Sequence, residues 1–254
     1  MWKHGFGATG VDWVGNKHKT VIPILKVDLT IEAGQQIVLD LLQQPDLRYI
    51  HMGFPRGTFT RAREMPIPEW QKERGAPVPR PLRTDAEPAG LPKEHLTPNE
   101  QIKVVKGNQI AVFCDRIANI CIENKIGFTI ENPTGSILWL LPEYVDLAKR
   151  PEAFFVPFHA CVWGSKRKKR TSLLTNIQAM KTLEKYCPGE SACHKHLPWG
   201  LRWHKRWKFA TEEECEYPEV LCDAIASRAE GAAIPQSQAA QFAESQRASQ
   251  VNTL

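Results

Sequence analysis

Two strand-like runs in this sequence each lead into a loop of polar residues, and this repeated arrangement constrains the fold most. The first run, residues 47–52, enters a segment rich in Gly, Pro and Arg at residues 53–64. The second run, residues 127–130, continues directly into Glu-Asn-Pro at residues 131–133. Open α/β sheets present their chemistry at the carboxyl ends of their strands. The two loops therefore predict one crevice at the edge of an α/β sheet.

Helical patterns alternate with these strands. Thr-Pro-Asn-Glu at residues 97–100 has the residues of a capping box, which predicts a helix that ends at about residue 124. Residues 34–42 and 212–229 also have the pattern of helices. Residues 154–161 and 172–175 predict two late strands, which could pair as an antiparallel hairpin at the sheet edge. Alternating strands and helices indicate the α/β class.

One long segment interrupts this domain, and a tail follows it. Residues 66–97 contain many Pro, Arg and Glu residues, which predicts a long loop of the kind that acts as a lid or mobile segment. Residues 230–254 turn to Ala, Gln and Ser, which predicts a disordered tail. The predicted organisation is one domain over residues 1–229, with its long loop at 66–97, and the tail.

Composition narrows the class of protein. The chain has 254 residues, and its hydrophobic fraction of 42% is ordinary for a globular fold. No apolar run approaches the ~18 residues that a membrane span needs. The first residues lack the apolar core of a signal peptide, and seven scattered cysteines suit a reducing compartment. The sequence predicts an intracellular protein with no membrane partner.

Positive charge is concentrated in two places. The formal net charge is +5, and residues 166–170 read Lys-Arg-Lys-Lys-Arg. A second group of cations at residues 202–208 is interleaved with Trp203 and Trp207 and follows Trp199. Two solvated faces are the simpler interpretation. The alternative, which the three indoles favour, is contact with nucleic-acid phosphates combined with base stacking.

Three acidic residues follow strand-like runs. Asp12 and Asp28 stand where a carboxylate can accept hydrogen bonds from ribose hydroxyls or an adenine amino group, although each could instead cap a turn. Glu131 follows a run that reads as buried, and burial would favour its protonated form, which can donate to a ring nitrogen of a base. The alternative for Glu131 is a cap on the helix that follows.

Cys187, Cys193, His194 and His196 are residue types that bind metals. Their Cys-x5-Cys-His-x-His spacing matches no common zinc finger. The sequence therefore predicts an ordered polar loop here and no metal site.

With these residues, the chain resembles the catalytic domain of cytosine-5 DNA methyltransferases, and more closely a divergent group abundant in protist genomes and mobile elements. That group carries a Pro-Pro-Cys-Gly-Thr-x-Ser-Arg-Ala-Arg-Glu loop, which residues 54–64 match, and a Glu-Asn-Pro loop, which residues 131–133 match. The resemblance spans roughly residues 5–223. It extends to four further segments, residues 12–17, 27–30, 158–164 and 194–200.

The resemblance implies a doubly wound (Rossmann-like) fold that uses S-adenosylmethionine as methyl donor. By position, Asp12 would contact the donor ribose and Asp28 its adenine. The implied cofactor-binding residues are Asp12, Trp13, Asp28, Leu29, Phe54 and Pro55.

The resemblance also implies a DNA site. Glu131, with Asn132 and Pro133, would pair with the target cytosine, and Arg61 and Arg63 would lie beside the target pocket. The implied phosphate contacts are Lys166, Arg167, Lys168, Lys169 and Arg170.

Two departures from the family pattern bear on activity. The family begins with a strand and a Gly-rich loop that hold the donor, and this sequence starts after that point. We therefore expect a fold that is incomplete at the N-terminus, with an exposed sheet edge.

The family nucleophile is a cysteine that adds to carbon 6 of the base, and Arg56 stands in its place. A guanidinium is not a nucleophile at accessible pH.

The function expected from this resemblance is an impaired DNA (cytosine-5) methyltransferase that acts in the nucleus. One alternative is a catalytically inactive, methyltransferase-like nucleic-acid-binding protein or mobile-element remnant. Another is an unrelated α/β domain whose basic face binds a different acidic partner.

Overall fold

The chain forms a mixed α/β structure, which confirms the predicted class. The computed structural model describes residues 7–16, 20, 22–53, 57–192 and 194–230. Its strands are β1 (Gly10–Asp12), β2 (Ile24–Lys26), β3 (Tyr49–Gly53), β4 (Gly127–Pro133), β5 (Phe154–His159), β6 (Arg170–Thr175), β7 (Leu201–His204) and β8 (Arg206–Phe209). Its α-helices are α1 (Glu32–Leu42), α2 (Glu69–Lys72), α3 (Pro98–Glu123), α4 (Pro142–Lys149), α5 (Ala210–Glu213) and α6 (Glu219–Glu230). Short 3₁₀ turns include Arg61–Glu64 and Ala160–Trp163.

A four-stranded sheet in the order β3-β4-β6-β5 forms the centre of the structure. β3 and β4 are parallel and are joined through α3, whereas β6 is antiparallel to both of its neighbours. The two predicted late strands do pair as an antiparallel hairpin. Mixed sheets with antiparallel strands at one end are common in α/β folds.

The central sheet is covered on both faces. Alternate residues point to opposite sides of a strand, so Phe128 and Ile130 of β4 pack into one core with α1, α3 and α4. Leu173 of β6 and Val156 of β5 belong to a second core, which contains residues of α6. Thr129 and Glu131 alternate with Phe128 and Ile130, so they lie on the face of this second core.

Two smaller sheets complete the described structure. β1 and β2 form a parallel pair, and Val11 and Leu29 beside them pack against the first core. β7 and β8 form an antiparallel hairpin in which Trp203 is opposite Trp207. The sequence analysis did not predict this hairpin, because a run of alternating cations and indoles lacks the apolar signal of a strand.

The start of α3 follows its sequence signature. The Thr97 hydroxyl accepts a hydrogen bond from the Glu100 backbone N–H, the Glu100 carboxylate accepts one from the Thr97 N–H, and Pro98 occupies the first turn. These contacts satisfy donors that a helix otherwise leaves unpaired. The predicted helix and both of its ends are confirmed.

The predicted helix at residues 212–229 is wrong in its boundaries. The chain forms two helices there, α5 and α6, and Pro218 immediately precedes the second. Proline lacks a backbone N–H and its ring clashes with the preceding turn, so a continuous helix through this position is disfavoured. The predicted tail lies almost wholly outside the described residues.

The long segment at 66–97 contains α2 and a 3₁₀ turn and is otherwise irregular, in line with its prediction as a loop. It is anchored by Arg83, whose side chain is fully buried. The Arg83 guanidinium donates to the Thr58 hydroxyl, the Val104 carbonyl and the Asn108 amide oxygen, and it stacks 3.7 Å from the Phe59 ring centroid. Burial lowers the Arg83 pKa to about 10. These contacts tie the middle of the loop to α3.

We expect Thr97→Ala to lower the free energy of unfolding by about 1 kcal/mol, because the variant loses the side-chain cap of α3. Chemical denaturation of the two proteins measures the difference. Thr211→Ala, at an exposed position in α5, is the matched control and should change stability by less. Equal effects of both substitutions would show that the cap does not stabilise α3.

Candidate functional site

The two predicted polar loops meet at one edge of the central sheet. In the parallel register of β3 and β4, Gly53 is the partner of Glu131. Arg61, in the 3₁₀ turn after β3, donates from Nε to the Gly135 carbonyl at 2.8 Å, just beyond the Glu-Asn-Pro segment. The structure thus brings the end of the first loop against the second.

Glu131 is a buried carboxylate, only 1% exposed. Its Oε1 atom lies 3.3 Å from Lys169 Nζ, and its Oε2 atom accepts a hydrogen bond of 3.0 Å from the Tyr217 hydroxyl. A buried charge needs a counter-charge and hydrogen bonds to offset its desolvation. Lys169, from the segment before β6, and Tyr217, from the segment before α6, supply these contacts.

A chain of polar side chains continues from Glu131 along the same face of the sheet. His51 Nε2 lies 3.3 Å from the Tyr217 hydroxyl, and His51 Nδ1 lies 2.8 Å from the Thr129 hydroxyl. The Thr129 hydroxyl also lies 2.5 Å from the Tyr49 hydroxyl. Since Tyr217 donates to Glu131, His51 satisfies all of these contacts when Nε2 carries its proton and Nδ1 accepts from Thr129.

The charge state of His51 agrees with this arrangement. Burial lowers the His51 pKa below its ordinary value of 6.5, and the negative charge of Glu131 opposes the shift only in part. A neutral imidazole with one donor and one acceptor is the form that the chain of hydrogen bonds requires. The face between β3 and Tyr217 is therefore a fully paired polar network.

The cleft beside Glu131 is narrow. It is lined by Lys169, Tyr217, Thr171 and residues of the segments around Ala160 and Glu214, and it leaves room for about one water molecule. At Gly53, a Cβ atom would lie 3.2 Å from the Tyr217 hydroxyl, so glycine lets this side chain approach the sheet. A larger ligand reaches Glu131 only if Tyr217 and Lys169 move aside.

Asn132 and Pro133 differ from Glu131 in their environment. Asn132 is fully buried, and neither its amide nitrogen nor its amide oxygen has a hydrogen-bond partner within the described part of the chain. Unsatisfied buried polar groups are uncommon and cost about 1–3 kcal/mol each. Pro133 ends β4, and its carbonyl accepts a hydrogen bond from the Trp139 indole. The Asn132 amide is thus a polar group that a bound molecule could satisfy.

The two arginines predicted beside the pocket are held by the protein. Arg61 forms ion pairs with Glu64 and Asp85 in addition to its bond to Gly135. Arg63 donates to the carbonyls of Gly57 and Arg80. Both side chains therefore order the first loop. The remaining residues predicted in this loop, Phe54, Pro55 and Arg56, lie outside the described residues, and their roles stay predictions.

The residues predicted to contact a donor lie after two neighbouring parallel strands. Asp12 ends β1 and is exposed, with its carboxylate accepting from the Trp13 backbone N–H and the Asn16 amide. Asp28 follows β2, and both of its contacts with Thr30 use Oδ1. These hydrogen bonds lower the Asp28 pKa. Asp28 therefore has the turn-capping role that was its alternative interpretation.

Trp13 and Leu29 flank these carboxylates in different environments. The Trp13 side chain is 63% exposed and folds over Gly15, where a Cβ would lie 2.3 Å from the ring. Leu29 is partly buried against the first core. Trp13 therefore presents its aromatic ring to solvent, whereas Leu29 contributes to the packing of the first core.

The basic run at residues 166–170 does not form a single face, which corrects the prediction that all five cations face DNA. Arg167 is fully buried and paired with Glu213 at 2.6 Å and Glu214 at 3.0 Å. Lys169 points inward to Glu131. The exposed members of the run are Lys166, Lys168 and Arg170. A buried guanidinium that is neutralised by two carboxylates is not available to a phosphate.

The hairpin of β7 and β8 presents an aromatic and cationic surface. Trp203 is 65% exposed, and its ring lies 5.5 Å from the Trp207 ring in an edge-to-face arrangement. The Trp207 indole donates to the Arg74 carbonyl, which ties the hairpin to the segment after α2. Trp203 is therefore the indole of this pair that a nucleic-acid base could stack on.

Cysteine and histidine side chains converge at a second place, at the end of β5. Ligand atoms of Cys161, Cys187, His194 and His196 all lie within 4.8 Å of one another. The sequence analysis considered three of these residues together with Cys193, which lies outside the described residues. It missed Cys161, which is distant in the sequence.

Sequence reasoning also missed the partners of Glu131. Tyr217 lies within the run that predicted a helix at residues 212–229, and no motif connects it with Glu131. His51 had a detectable signal, because Tyr49, His51 and Gly53 alternate along one face of a strand that ends at the predicted site. Lys169 was predicted to contact a phosphate, because the basic run at residues 166–170 was treated as one surface.

Comparison with protein-family models, with curated proteins and with solved structures found no match for this chain. Among the residues that the structure describes, no helix is both long and apolar enough to span a membrane.

We expect the stability of the protein to fall as the pH drops below about 6.5, because the unfolded chain then protonates residue 51, whereas desolvation lowers the pKa of the half-buried imidazole in the folded protein. Residue 51 contributes at most about 1.4 kcal/mol per pH unit to the slope of the free energy of unfolding against pH. Above that pH both states are neutral and the effect disappears. In denaturation at several pH values, His51→Gln should reduce the slope, whereas His95→Gln, at an exposed position, should not. Identical slopes for wild type and His51→Gln would contradict a neutral buried His51.

Proposed function

We propose that this chain is a cytosine-5 DNA methyltransferase-like protein that binds DNA and recognises a base at Glu131, without transferring methyl by the thiol route. The observation that carries the proposal is the register of β3 and β4, in which Gly53 lies beside Glu131. The family resemblance assigns one loop to the nucleophile position and the other to the target cytosine. Their meeting at one sheet edge is what a shared site requires.

The strand arrangement supports a doubly wound fold. In such sheets the classic order is 3-2-1-4-5-6, and ligands bind at the switch point next to the first strand. Here β1 pairs with β2, β3 pairs with β4, and all four take part in parallel ladders. We assign these strands to positions 2, 3, 4 and 5 of that order. The strand that carries the Gly-rich loop in the family would then lie between β1 and β3.

The residues after β1 and β2 fit the nucleoside half of S-adenosylmethionine. Asp12 offers an exposed carboxylate to ribose hydroxyls, and Trp13 offers a ring face to a purine. Asp28 caps its turn through Oδ1 and would offer its Oδ2 atom to an adenine amino group. When bound, this donor supplies a methyl group activated by its sulfonium. In our assignment, Asp12, Trp13 and Asp28 bind and orient it.

The group at Glu131 fits the edge of a cytosine. A glutamate carboxylate accepts a hydrogen bond from the cytosine amino group, and the Lys169 ammonium can donate to its carbonyl oxygen. Entry of the base requires that it leave the DNA stack and that Tyr217 and the Lys169 ammonium move away from Glu131. Lys169 and Tyr217 therefore orient the carboxylate before a base enters and compete with the base for it.

The chemistry of the site argues against thiol catalysis by this chain. Arg56 stands in the nucleophile position by resemblance, and no described cysteine lines the cleft at Glu131. Cys114 and Cys121 belong to the first core, and burial raises the pKa of each to about 12. A thiol of this kind is not a nucleophile at neutral pH. Base recognition can persist where the covalent step is lost.

The outer cations near the cleft fit a phosphate backbone. Lys166, Lys168 and Arg170 are exposed, and they flank Lys169, which reaches Glu131. Cations that contact phosphates supply most of the sequence-independent affinity for DNA. A DNA partner also makes the nucleus the expected place of action.

Replacing Lys166, Lys168 and Arg170 together by Gln should weaken DNA binding and reduce its salt dependence. The loss of three phosphate contacts lowers the slope of log K against log salt by about 2.7. A salt titration by fluorescence anisotropy measures it. The matched control replaces Lys103, Arg116 and Lys149, which are exposed on α3 and α4, and should lower the slope less. Equal slopes for both triple variants would remove the basic run from the interface and favour a different acidic partner.

We expect the chain to transfer no methyl group to cytosine when it is given labelled S-adenosylmethionine and duplex DNA, because Arg56 stands at the position of the family's nucleophilic thiol. Arg56→Cys places a thiol at the position that the family uses. Gain of labelled 5-methylcytosine by that variant would support the assignment of the loop. Label incorporated by the unmodified chain and abolished by Glu131→Gln would overturn the claim that the chain is inactive.

A further inference from the structure

The thiol and imidazole cluster at the end of β5 has the composition of a metal site. Cys161 lies in the 3₁₀ turn Ala160–Trp163, and Cys187, His194 and His196 lie in the irregular segment that precedes β7. The four ligand atoms, two sulfurs and two nitrogens, lie within 4.8 Å of one another. Cys161 is buried, and the other three residues are partly exposed.

The distances among the ligand atoms of Cys187, His194 and His196 match those around a tetrahedral ion. Cys187 Sγ lies 3.3 Å from His194 Nε2 and 3.6 Å from His196 Nε2, and the two Nε2 atoms are 3.1 Å apart. Around zinc, with Zn–S of about 2.3 Å and Zn–N of about 2.0–2.1 Å, tetrahedral angles give about 3.6 Å between S and N and about 3.3 Å between two N atoms. The three measured separations agree with these values to about 0.3 Å.

The contacts around the cluster are those that orient metal ligands. Glu190 Oε1 lies 3.1 Å from His196 Nδ1, so the ring nitrogen that faces away from the cluster has a carboxylate partner. The Gly189 backbone N–H donates to Cys187 Sγ at 3.4 Å, which suits a thiolate. The φ of Gly189 is +107°, a conformation that side chains disfavour. Carboxylate–histidine–metal contacts of this type fix the tautomer and the ring orientation.

The cluster lies in a segment without regular secondary structure, beside the basic run. Residues 184–200 contain no helix or strand among those that the structure describes. The Leu197 N–H donates to the Lys166 carbonyl, and Arg167 Nε donates to the Pro198 carbonyl. A cross-link between Cys161 and this segment would therefore order both the segment and the basic run beside it.

We propose that Cys161, Cys187, His194 and His196 bind one structural zinc ion that holds the 184–200 segment against the end of β5. Two sulfur and two imidazole ligands in tetrahedral positions are typical of zinc. Four protein ligands leave no open position, so the ion stabilises the structure and takes no part in catalysis. This inference is independent of the proposed DNA function.

Elemental analysis of the full chain, purified under reducing conditions without chelator, tests the site. We expect one zinc per chain. Cys161→Ser and His194→Ala should each lose it. Cys222→Ser, at an exposed cysteine, and Cys193→Ser should keep it, because four other ligands complete the site. Purified protein that contains no zinc and takes up none when zinc is added would overturn the proposal.

Two further measurements keep the test decisive if a variant fails to fold. Wild-type protein stripped by a chelator and titrated with Co²⁺ should develop the visible absorption of a tetrahedral thiolate site with a one-to-one endpoint. Chelation should also lower the melting temperature of wild type, and zinc should restore it. An octahedral Co²⁺ spectrum, an unchanged melting temperature, or a Cys161–Cys187 disulfide in place of bound metal would each contradict a structural zinc ion.

Discussion

The burial of the Glu131 carboxylate at the end of β4 is the constraint on which the rest of the site depends. A carboxylate that is 1% exposed needs a cation and hydrogen-bond donors within reach. Lys169 and Tyr217 provide them, so the segments before β6 and before α6 must both close over the same sheet edge. The hydrogen bonds then continue through His51 to Thr129, which links β3 and β4 in one polar network.

The same constraint divides the basic run between structure and surface. Lys169 is directed to Glu131, and the buried Arg167 is held by Glu213 and Glu214 from α5 and its end. Lys166, Lys168 and Arg170 remain exposed for a partner. In the proposed zinc site, the cysteine and histidine cluster would hold the neighbouring segment. Recognition of DNA at this face would thus depend on contacts that are themselves internal to the protein.

Much of the fold could be predicted because its signals are local. The capping box at Thr97 and the alternation in β4 depend on neighbouring residues, and the structure follows both. The contacts of Glu131 with Lys169 and Tyr217, and the place of Cys161 in the cysteine and histidine cluster, could not be predicted, because each joins segments that are distant in the sequence. The burial of Arg167 could not be predicted for the same reason. Only its ion pairs with the distant residues Glu213 and Glu214 distinguish it from the exposed Lys166. Pro218 did carry a local signal, which the helical periodicity around it obscured.

The central claim is that Glu131 recognises a cytosine base. Its most direct test compares the affinity of the protein for duplexes that carry one unpaired cytosine or one unpaired thymine, since an unpaired base leaves the stack at lower cost. Wild type should prefer cytosine by roughly tenfold, or about 1.4 kcal/mol, which lies within the range of about 1–3 kcal/mol for a good base contact. Glu131→Gln should lose the preference while it retains its affinity for phosphates. Equal binding of both duplexes by wild type, or an unchanged preference in Glu131→Gln, would contradict this account.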